Sequence, residues 1–191
     1  MKNSMKILIG IVVVAVLLIM SGVGSYNNLV KKSESVKSSF SQIDNQLQRR
    51  NDLIPNLVAT VKQYAAHEEE IFTDIAEARS QLAGAGTVAE QAEGDAAVTG
   101  ALSRLLAISE NYPDLKANEN FIQLQDELAG TENRITTARK DYNDVAADYN
   151  TSIRRFPTMI FANMLGFDQV DYFEADETSR ENPDVDDLFG E

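Results

Sequence analysis

Apolar residues recur at alternating intervals of three and four along two long stretches of this chain, and this spacing is what most limits its fold. Between Tyr26 and Leu82 the alternation marks seventeen positions, of which fourteen are apolar. It continues without a break between Phe121 and Phe156. Such spacing aligns side chains along one narrow helical face and favours coiled-coil-like packing. The pattern therefore predicts two long helical stretches that pack against each other.

Breaks in the pattern divide the chain further. Pro55 lies inside the first stretch, where the register continues through it, so we expect a kink and not a loop, with two helices in one line. The glycines from Gly84 to Gly100 indicate the most flexible part of the domain. A shorter helix follows and should end at the turn before Pro113.

The last long helix is predicted from about Asn118 to Phe156, ahead of Pro157. An uncharged segment, residues 156–167, then suggests one or two helical turns closed by Gly166. Strand patterns are absent from the sequence. The fold class predicted is all-α, with an N-terminal transmembrane helix followed by an elongated up-and-down antiparallel bundle of about four helices.

Residues 7–23 read ILIGIVVVAVLLIMSGV, without a charge, and follow Lys2 and Lys6. The run covers about 26 Å as a helix, close to the thickness of a bilayer core. A cleaved signal peptide is the alternative, but the run exceeds the usual length of its apolar region. We therefore expect residues 1–25 to be an uncleaved anchor. The preceding lysines favour a cytoplasmic N-terminus, which leaves the domain of residues 26–167 outside the cytoplasm.

Charge and composition exclude several classes of function. The net charge is −13, and residues 168–191 carry −9 of it, which predicts a disordered acidic tail. This balance argues against a protein that binds nucleic acid through its phosphates. Because the chain has no cysteine and one histidine, it can form neither a disulfide nor a metal site of several Cys or His ligands.

Catalysis has no positive support in the sequence. His67 opens a His-Glu-Glu-Glu sequence that begins like a zinc-protease helix, but Ile71 occupies the place of the second histidine. A metal site of carboxylates alone stays open, although charged side chains on helices more often form a solvated face. We therefore predict no enzyme activity, no cofactor, no metal site and no catalytic residues.

Several residues are candidates for structural or interaction roles. Arg50 falls on the apolar stripe next to Arg49, so its buried guanidinium would need partners such as Glu132 or Glu127. It either fixes helix register as a polar layer, which we favour, or anchors an interface or ligand. Pro55 follows this layer.

Two Tyr-Asn pairs, Tyr142-Asn143 and Tyr149-Asn150, lie seven residues apart, as expected for packed tyrosines whose hydroxyls are hydrogen-bonded. Residues 156–167 form the apolar interaction candidate. We favour a segment that caps the end of the bundle; the alternatives are packing on another subunit or contact with a membrane surface. The candidate side chains of this segment are Phe156, Met159, Ile160 and Phe161.

Longer motifs carry a family resemblance over roughly residues 26–175. They are SQIDNQLQRRNDLIPNLV (41–58), TVKQYAAHE (60–68), ENYPDLKANENF (110–121), LQDEL (124–128), TENRI (131–135), the two Tyr-Asn pairs and IRRFP (153–157). Together they resemble the LemA family of bacterial membrane proteins. Phe40 is a departure, since the family often has Trp there.

The resemblance implies a single-span protein of the bacterial cytoplasmic membrane with a helical-bundle domain outside the cytoplasm, and no agreed enzymatic activity. We expect a membrane-anchored scaffold that self-associates as a homo-oligomer and organises or remodels the lipid bilayer, without nucleic acid. The alternative is an envelope adaptor that binds a membrane protease or sensor protein.

Overall fold

One uninterrupted helix links the apolar N-terminal run to the core of the bundle. The computed structural model describes residues 2–174, and in it helix α1 extends over Lys2–Lys62. Its 61 residues correspond to a length of about 90 Å. The helix continues through Pro55, which lies on an exposed face. The expectation that no loop forms at this proline is therefore confirmed, and the kink stays a prediction.

The chain reverses direction after α1, where the sequence predicted a continuation in line. Helix α2, Glu69–Gly84, folds back along α1, so that the Arg79 Nε donates a hydrogen bond of 2.6 Å to the Asn51 Oδ1. The expectation of two helices in one line up to Leu82 is wrong. The apolar spacing could not reveal the turn, because α2 buries its stripe in the same core whether the chain goes on or turns back.

Helix α3, Val88–Ser109, begins earlier than the glycine-rich sequence suggested. The Thr87 side chain accepts from the Glu90 N–H, and the Glu90 carboxylate accepts from the Thr87 N–H, which forms a capping box. Gly94 and Gly100 lie inside this helix. The expected flexible stretch to Gly100 is therefore mostly helical, because the capping box starts the helix directly after the short break.

The remaining helices return the chain to the start of the bundle. Helix α4 is Pro113–Lys116, and α5, Glu119–Arg154, begins at an Asn118 cap whose side chain accepts from the Phe121 N–H. Helix α5 runs antiparallel to α1, and α6, Thr158–Leu165, ends at Gly166 with a φ of 74°. Glycine adopts this left-handed conformation without strain, as the sequence predicted. The described residues contain no strand.

Two apolar clusters form the core, one on each side of Arg50 along α1. The first lies at the end distal from the N-terminal run, where α1 packs with α2, α3 and α5. The second lies where α1 packs with the C-terminal half of α5 and with α6. The buried positions on α1 match the predicted stripe: Leu29, Val36, Ile43, Leu47, Arg50, Ile54, Leu57 and Val61. The stripe of α5 is likewise buried or half-buried up to Ser152, but Phe156, its last predicted position, is 75% exposed because α5 has already ended.

All side chains described between Met5 and Ser21 of α1 are exposed. The start of this helix contains a stretch of mean hydropathy 2.9 that is long and apolar enough to cross a membrane. Large apolar side chains are exposed along it from Met5 to Val23. A solvated helix would not tolerate such a surface, so this segment is suited to hydrocarbon.

Candidate functional site

A short extended segment, residues 167–174, runs along α5 and is called here the C-terminal strap. The Asn143 amide donates to the Phe173 carbonyl oxygen at 2.8 Å, and its own oxygen accepts from the Phe173 N–H at 2.9 Å. Asn150 holds Val170 in the same way, at 2.8 and 3.0 Å. Each asparagine therefore satisfies both main-chain polar groups of one strap residue.

The tyrosines beside these asparagines complete the contact. The Tyr142 hydroxyl donates to the Asp171 carbonyl oxygen at 2.9 Å. The Phe173 ring packs edge-on against the Tyr142 ring, with centroids 5.3 Å apart, and stacks on Phe40 at 6.4 Å. Phe40, where the family often has Trp, thus forms one wall of the place where the strap ends.

Burial raises the pKa of the Tyr142 phenol above its ordinary value, and the carboxylate of Asp171 raises it further. Burial likewise raises the pKa of Tyr149, with an added contribution from Asp168. Both carboxylates belong to the strap. The strap carboxylates therefore add to the effect of burial in favouring the protonated form of both phenols.

The predicted tail boundary at Asp168 falls inside this packed segment. Residues 168–174 contact the bundle because two asparagines supply main-chain hydrogen bonds and Phe173 supplies a buried ring. The sequence did not reveal this contact, because residues 168–174 were grouped with the acidic tail. Only three of the seven residues are acidic, and those three are exposed. The remainder of the predicted tail, residues 175–191, lies outside the described residues.

Arg50 forms a buried layer between the two apolar clusters, with only 1% of its surface exposed. Its Nη1 donates to the Glu132 Oε2 at 3.0 Å and to the Thr99 Oγ1 at 3.2 Å, while its Nη2 donates to the buried carboxylate of Asp95. Glu132 was one of two partners that the sequence suggested. The other, Glu127, pairs with Arg49 at 3.4 Å, half-exposed at the surface.

A second cation joins the layer and connects it to the strap. The Arg139 Nη2 lies 2.6 Å from the Asp95 Oδ2, and its Cζ lies 5.0 Å above the centre of the Phe173 ring. One buried carboxylate thus faces two guanidinium groups, with Glu132 as the second anion. Sequence reasoning missed Asp95, because it lies in the glycine-rich stretch that was expected to be flexible, and Arg139, because it stands one residue after the stripe position Ala138.

Helix α6 lies beside the end of the apolar run. A carbon of the Phe161 ring lies only 3.0 Å from the place that a Cβ on Gly22 would occupy, and the rings of Tyr26 and Phe167 meet edge-on at 6.1 Å. Phe161 thus contacts α1. The other apolar candidates of this segment, Phe156, Met159 and Ile160, are exposed.

The strap and the layer around Arg50 offer ion pairing and hydrogen bonding to main-chain groups. Within residues 2–174 no group of three or more His, Asp or Glu side chains is placed to hold a metal ion. His67 is exposed in the turn before α2 and does not lie on a helix.

Comparison with known proteins gives one family and a few named relatives. Residues 39–186 match the model of the LemA family. The magnetosome protein MamQ 2 of Paramagnetospirillum magneticum is 29% identical, over 78% of this chain and 64% of the relative. MamQ of Magnetospirillum gryphiswaldense is also 29% identical, with the same coverage. Protein LemA of Metamycoplasma hominis is 28% identical, over 87% of this chain and 76% of the relative. The chain thus spans less than two thirds, 64%, of the length of the MamQ proteins.

Proposed function

Because the chain belongs to the LemA family, we propose that it is a membrane-anchored, non-catalytic scaffold that self-associates and organises or remodels the bilayer. The single observation that carries this proposal is the continuity of α1. The apolar run and the core stripe of the bundle lie on one helix, with no linker between them. A bundle held in this way keeps a fixed orientation to the membrane.

A fixed orientation matters for a scaffold. A flexible tether would let each bundle rotate, so that contacts between bundles could not impose a geometry on the lipid. A rigid helix transmits any regular contact between bundles to the membrane. Three relatives are named as magnetosome proteins, and an organising role at a cellular structure is in keeping with those names.

The proposal also includes topology, with the N-terminus in the cytoplasm and the bundle outside the cytoplasmic membrane. The chain contains no cysteine, so single-cysteine variants report position without interference. A membrane-impermeant maleimide should label Gln63→Cys in intact cells, and Lys6→Cys only after permeabilisation. Labelling of Lys6→Cys alone in intact cells would reverse the orientation.

Self-association is tested on the full chain reconstituted in lipid vesicles. Cross-linking combined with electron microscopy should show oligomers and altered vesicle shape at high protein density. Inserting a flexible Gly-Ser linker after Gly24, which is exposed and precedes the first buried position, Leu29, keeps the anchor and the core stripe but uncouples their orientation, so it should retain oligomers and lose the effect on shape. A chain that stays strictly monomeric at high density would refute self-association.

An envelope adaptor is the second candidate, and the strap favours it. Helix α5 already holds an extended chain through main-chain hydrogen bonds, which is the recognition that an adaptor needs for a partner's extended segment. Capture of a membrane protease or sensor should then change when residues 176–191 are deleted or when Asn143 and Asn150 are replaced by Ala. If neither change affects capture, then neither the strap nor the tail takes part in binding the partner.

A further inference from the structure

Helix α6 occupies a distinctive position, at the level where the apolar run of α1 ends. The run ends at Val23, and the Phe161 ring packs on Gly22, one residue before it. Glycine at this position lets the ring approach the helix backbone closely. Helix α6 therefore touches a residue of the very segment that is suited to hydrocarbon.

The outward face of α6 is apolar and uncovered. Outside residues 5–26, the described part of the chain exposes seven large apolar side chains, and five of them lie between Phe156 and Leu165. They are Phe156, Met159, Ile160, Met164 and Leu165. The helix itself contains no charged residue. Elsewhere the bundle surface shows only isolated apolar side chains such as Ile122.

Cationic side chains border this face on the side towards the bundle. Arg154 and Arg155, at the end of α5, are both exposed. Among residues 2–174 neither guanidinium forms an ion pair with a carboxylate, and the Arg154 Nε donates to the Asn150 carbonyl oxygen. Tyr26, half-exposed on α1, packs edge-on against Phe167, and the antiparallel pairing of Lys32 with Asp148 puts it at about the level of Arg154 along the bundle.

The sequence of groups along the molecule is that of a membrane interface. Apolar side chains come first, then a tyrosine and two arginines, and then the charged bundle. Aromatic and cationic side chains take this order because rings settle at the headgroup level and guanidinium groups pair with lipid phosphate.

We propose that α6 is a second membrane contact, whose exposed face lies in the interfacial layer of the leaflet that the end of the α1 run crosses. Arg154 and Arg155 bind the phosphate groups of anionic phospholipids there. This inference rests on the insertion of α1 proposed above. The lipid surface is favoured over a second copy of the chain because α6 is continuous with the surface of the anchor, at Gly22.

The chain contains no tryptophan, so single-tryptophan variants of the full chain can report depth. Ile160→Trp reports α6, and Ile122→Trp is a matched control on α5, since the two isoleucines are 54% and 43% exposed. Val12→Trp reports the anchor. Each variant is reconstituted in phosphatidylcholine vesicles with phosphatidylglycerol, in which the acyl chains are brominated near the headgroup or near the bilayer centre.

Bromines near the headgroup should quench Ile160→Trp several-fold more strongly than Ile122→Trp, whereas central bromines should quench Val12→Trp best. Equal quenching of the Ile160 and Ile122 variants, with Val12→Trp quenched, would overturn the role of α6 and leave the anchor intact. An unquenched Val12→Trp would overturn the anchor itself. Emission of Ile160→Trp that is insensitive to bromine but changes on dilution with lipid would assign the face to a second copy, which also overturns the inference.

The arginines are tested in the same assay. Replacing Arg154 and Arg155 by Gln should weaken quenching of Ile160→Trp in vesicles containing phosphatidylglycerol, and leave it unchanged in pure phosphatidylcholine. Replacing exposed Arg104, which pairs with Asp74 at the far end of the bundle, is the matched control. Equal effects of the two replacements would refute phosphate binding by Arg154 and Arg155.

Discussion

Asn143 exchanges a reciprocal pair of hydrogen bonds with the backbone of Phe173, at 2.8 and 2.9 Å. Asn150 repeats this pairing with Val170. Seven residues of α-helix advance by about 10.5 Å, and three residues of extended chain advance by about 10 Å. The seven-residue repeat of asparagines on α5 therefore matches every third residue of an antiparallel extended segment. This agreement in length explains why the strap lies along α5.

Replacing both asparagines by Ala should release the strap. Each substitution removes two hydrogen bonds and leaves the main-chain groups of Phe173 or Val170 without partners, at a cost of about 1–3 kcal/mol per site. Hydrogen exchange of the full chain in detergent should show faster exchange of the amides of residues 168–174, with little change in α1. Asn133→Ala on the exposed face of the same helix is the control and should leave the exchange rates unaltered. Unchanged protection in the double variant would mean that the Tyr142 hydroxyl and the Phe173 ring are enough to hold the strap.

Removal of the Asp95 carboxylate should cost more stability than any surface charge. Asp95→Ala leaves the buried Arg50 and the partly buried Arg139 near each other without their shared anion. Breaking such a buried pairing costs about 3–5 kcal/mol, whereas Glu127→Gln, which breaks the exposed pair with Arg49, should cost about 1 kcal/mol or less. Urea unfolding followed by circular dichroism in detergent measures both. Similar midpoints for the two variants would show that the buried layer contributes little.

The strap should also loosen at alkaline pH. The pKa of Tyr142 is raised above 10.0 by burial and by Asp171, so the folded chain keeps this phenol proton at a pH where the unfolded chain has lost it. The free energy of unfolding therefore falls as the pH rises from 10.0, until the folded phenol ionises too. The pKa of Tyr149 is also raised, so its ionisation lowers the free energy of unfolding in the same direction.

Tyr142→Phe tests this pH dependence, because it removes the titrating group but keeps the ring against Phe173. Stability measured by urea unfolding between neutral pH and pH above 10.0 should fall less steeply in the variant than in the parent chain. Tyr64→Phe, in the turn far from the strap, is the control and should retain the parent slope. If the stability of Tyr142→Phe falls with pH as steeply as that of the parent chain, ionisation of Tyr142 is not the cause of the fall.

Periodicity was enough to predict the buried faces of α1, α2 and α5, because a narrow apolar stripe must face the core, but it did not predict where α1 ends or where α3 begins. Arg50 could be placed in the core for the same reason. The spacing could not predict the direction of the chain. After the reversal that follows Lys62, the apolar stripe of α2 faces the same core as α1, so the spacing contains no sign of the turn. The strap could not be predicted because it is held through its main-chain groups, which every residue has. The two asparagines that bind these groups are recognisable only once the fold shows their partners.

Two glycines of α3 should respond in opposite directions to the same substitution. A Cβ on Gly94 would lie 2.7 Å from the Leu82 Cα, which is backbone of α2 and can only move if the two helices separate. Gly94→Ala should therefore lower stability by about 1–3 kcal/mol. Gly100 has open space around its Cα, and its replacement by Ala should raise stability by about 0.5–1 kcal/mol through the lower entropy of the unfolded chain. Urea midpoints of the two variants, measured side by side, check the contrast, and a stabilised Gly94→Ala would show that α2 and α3 do not pack this closely.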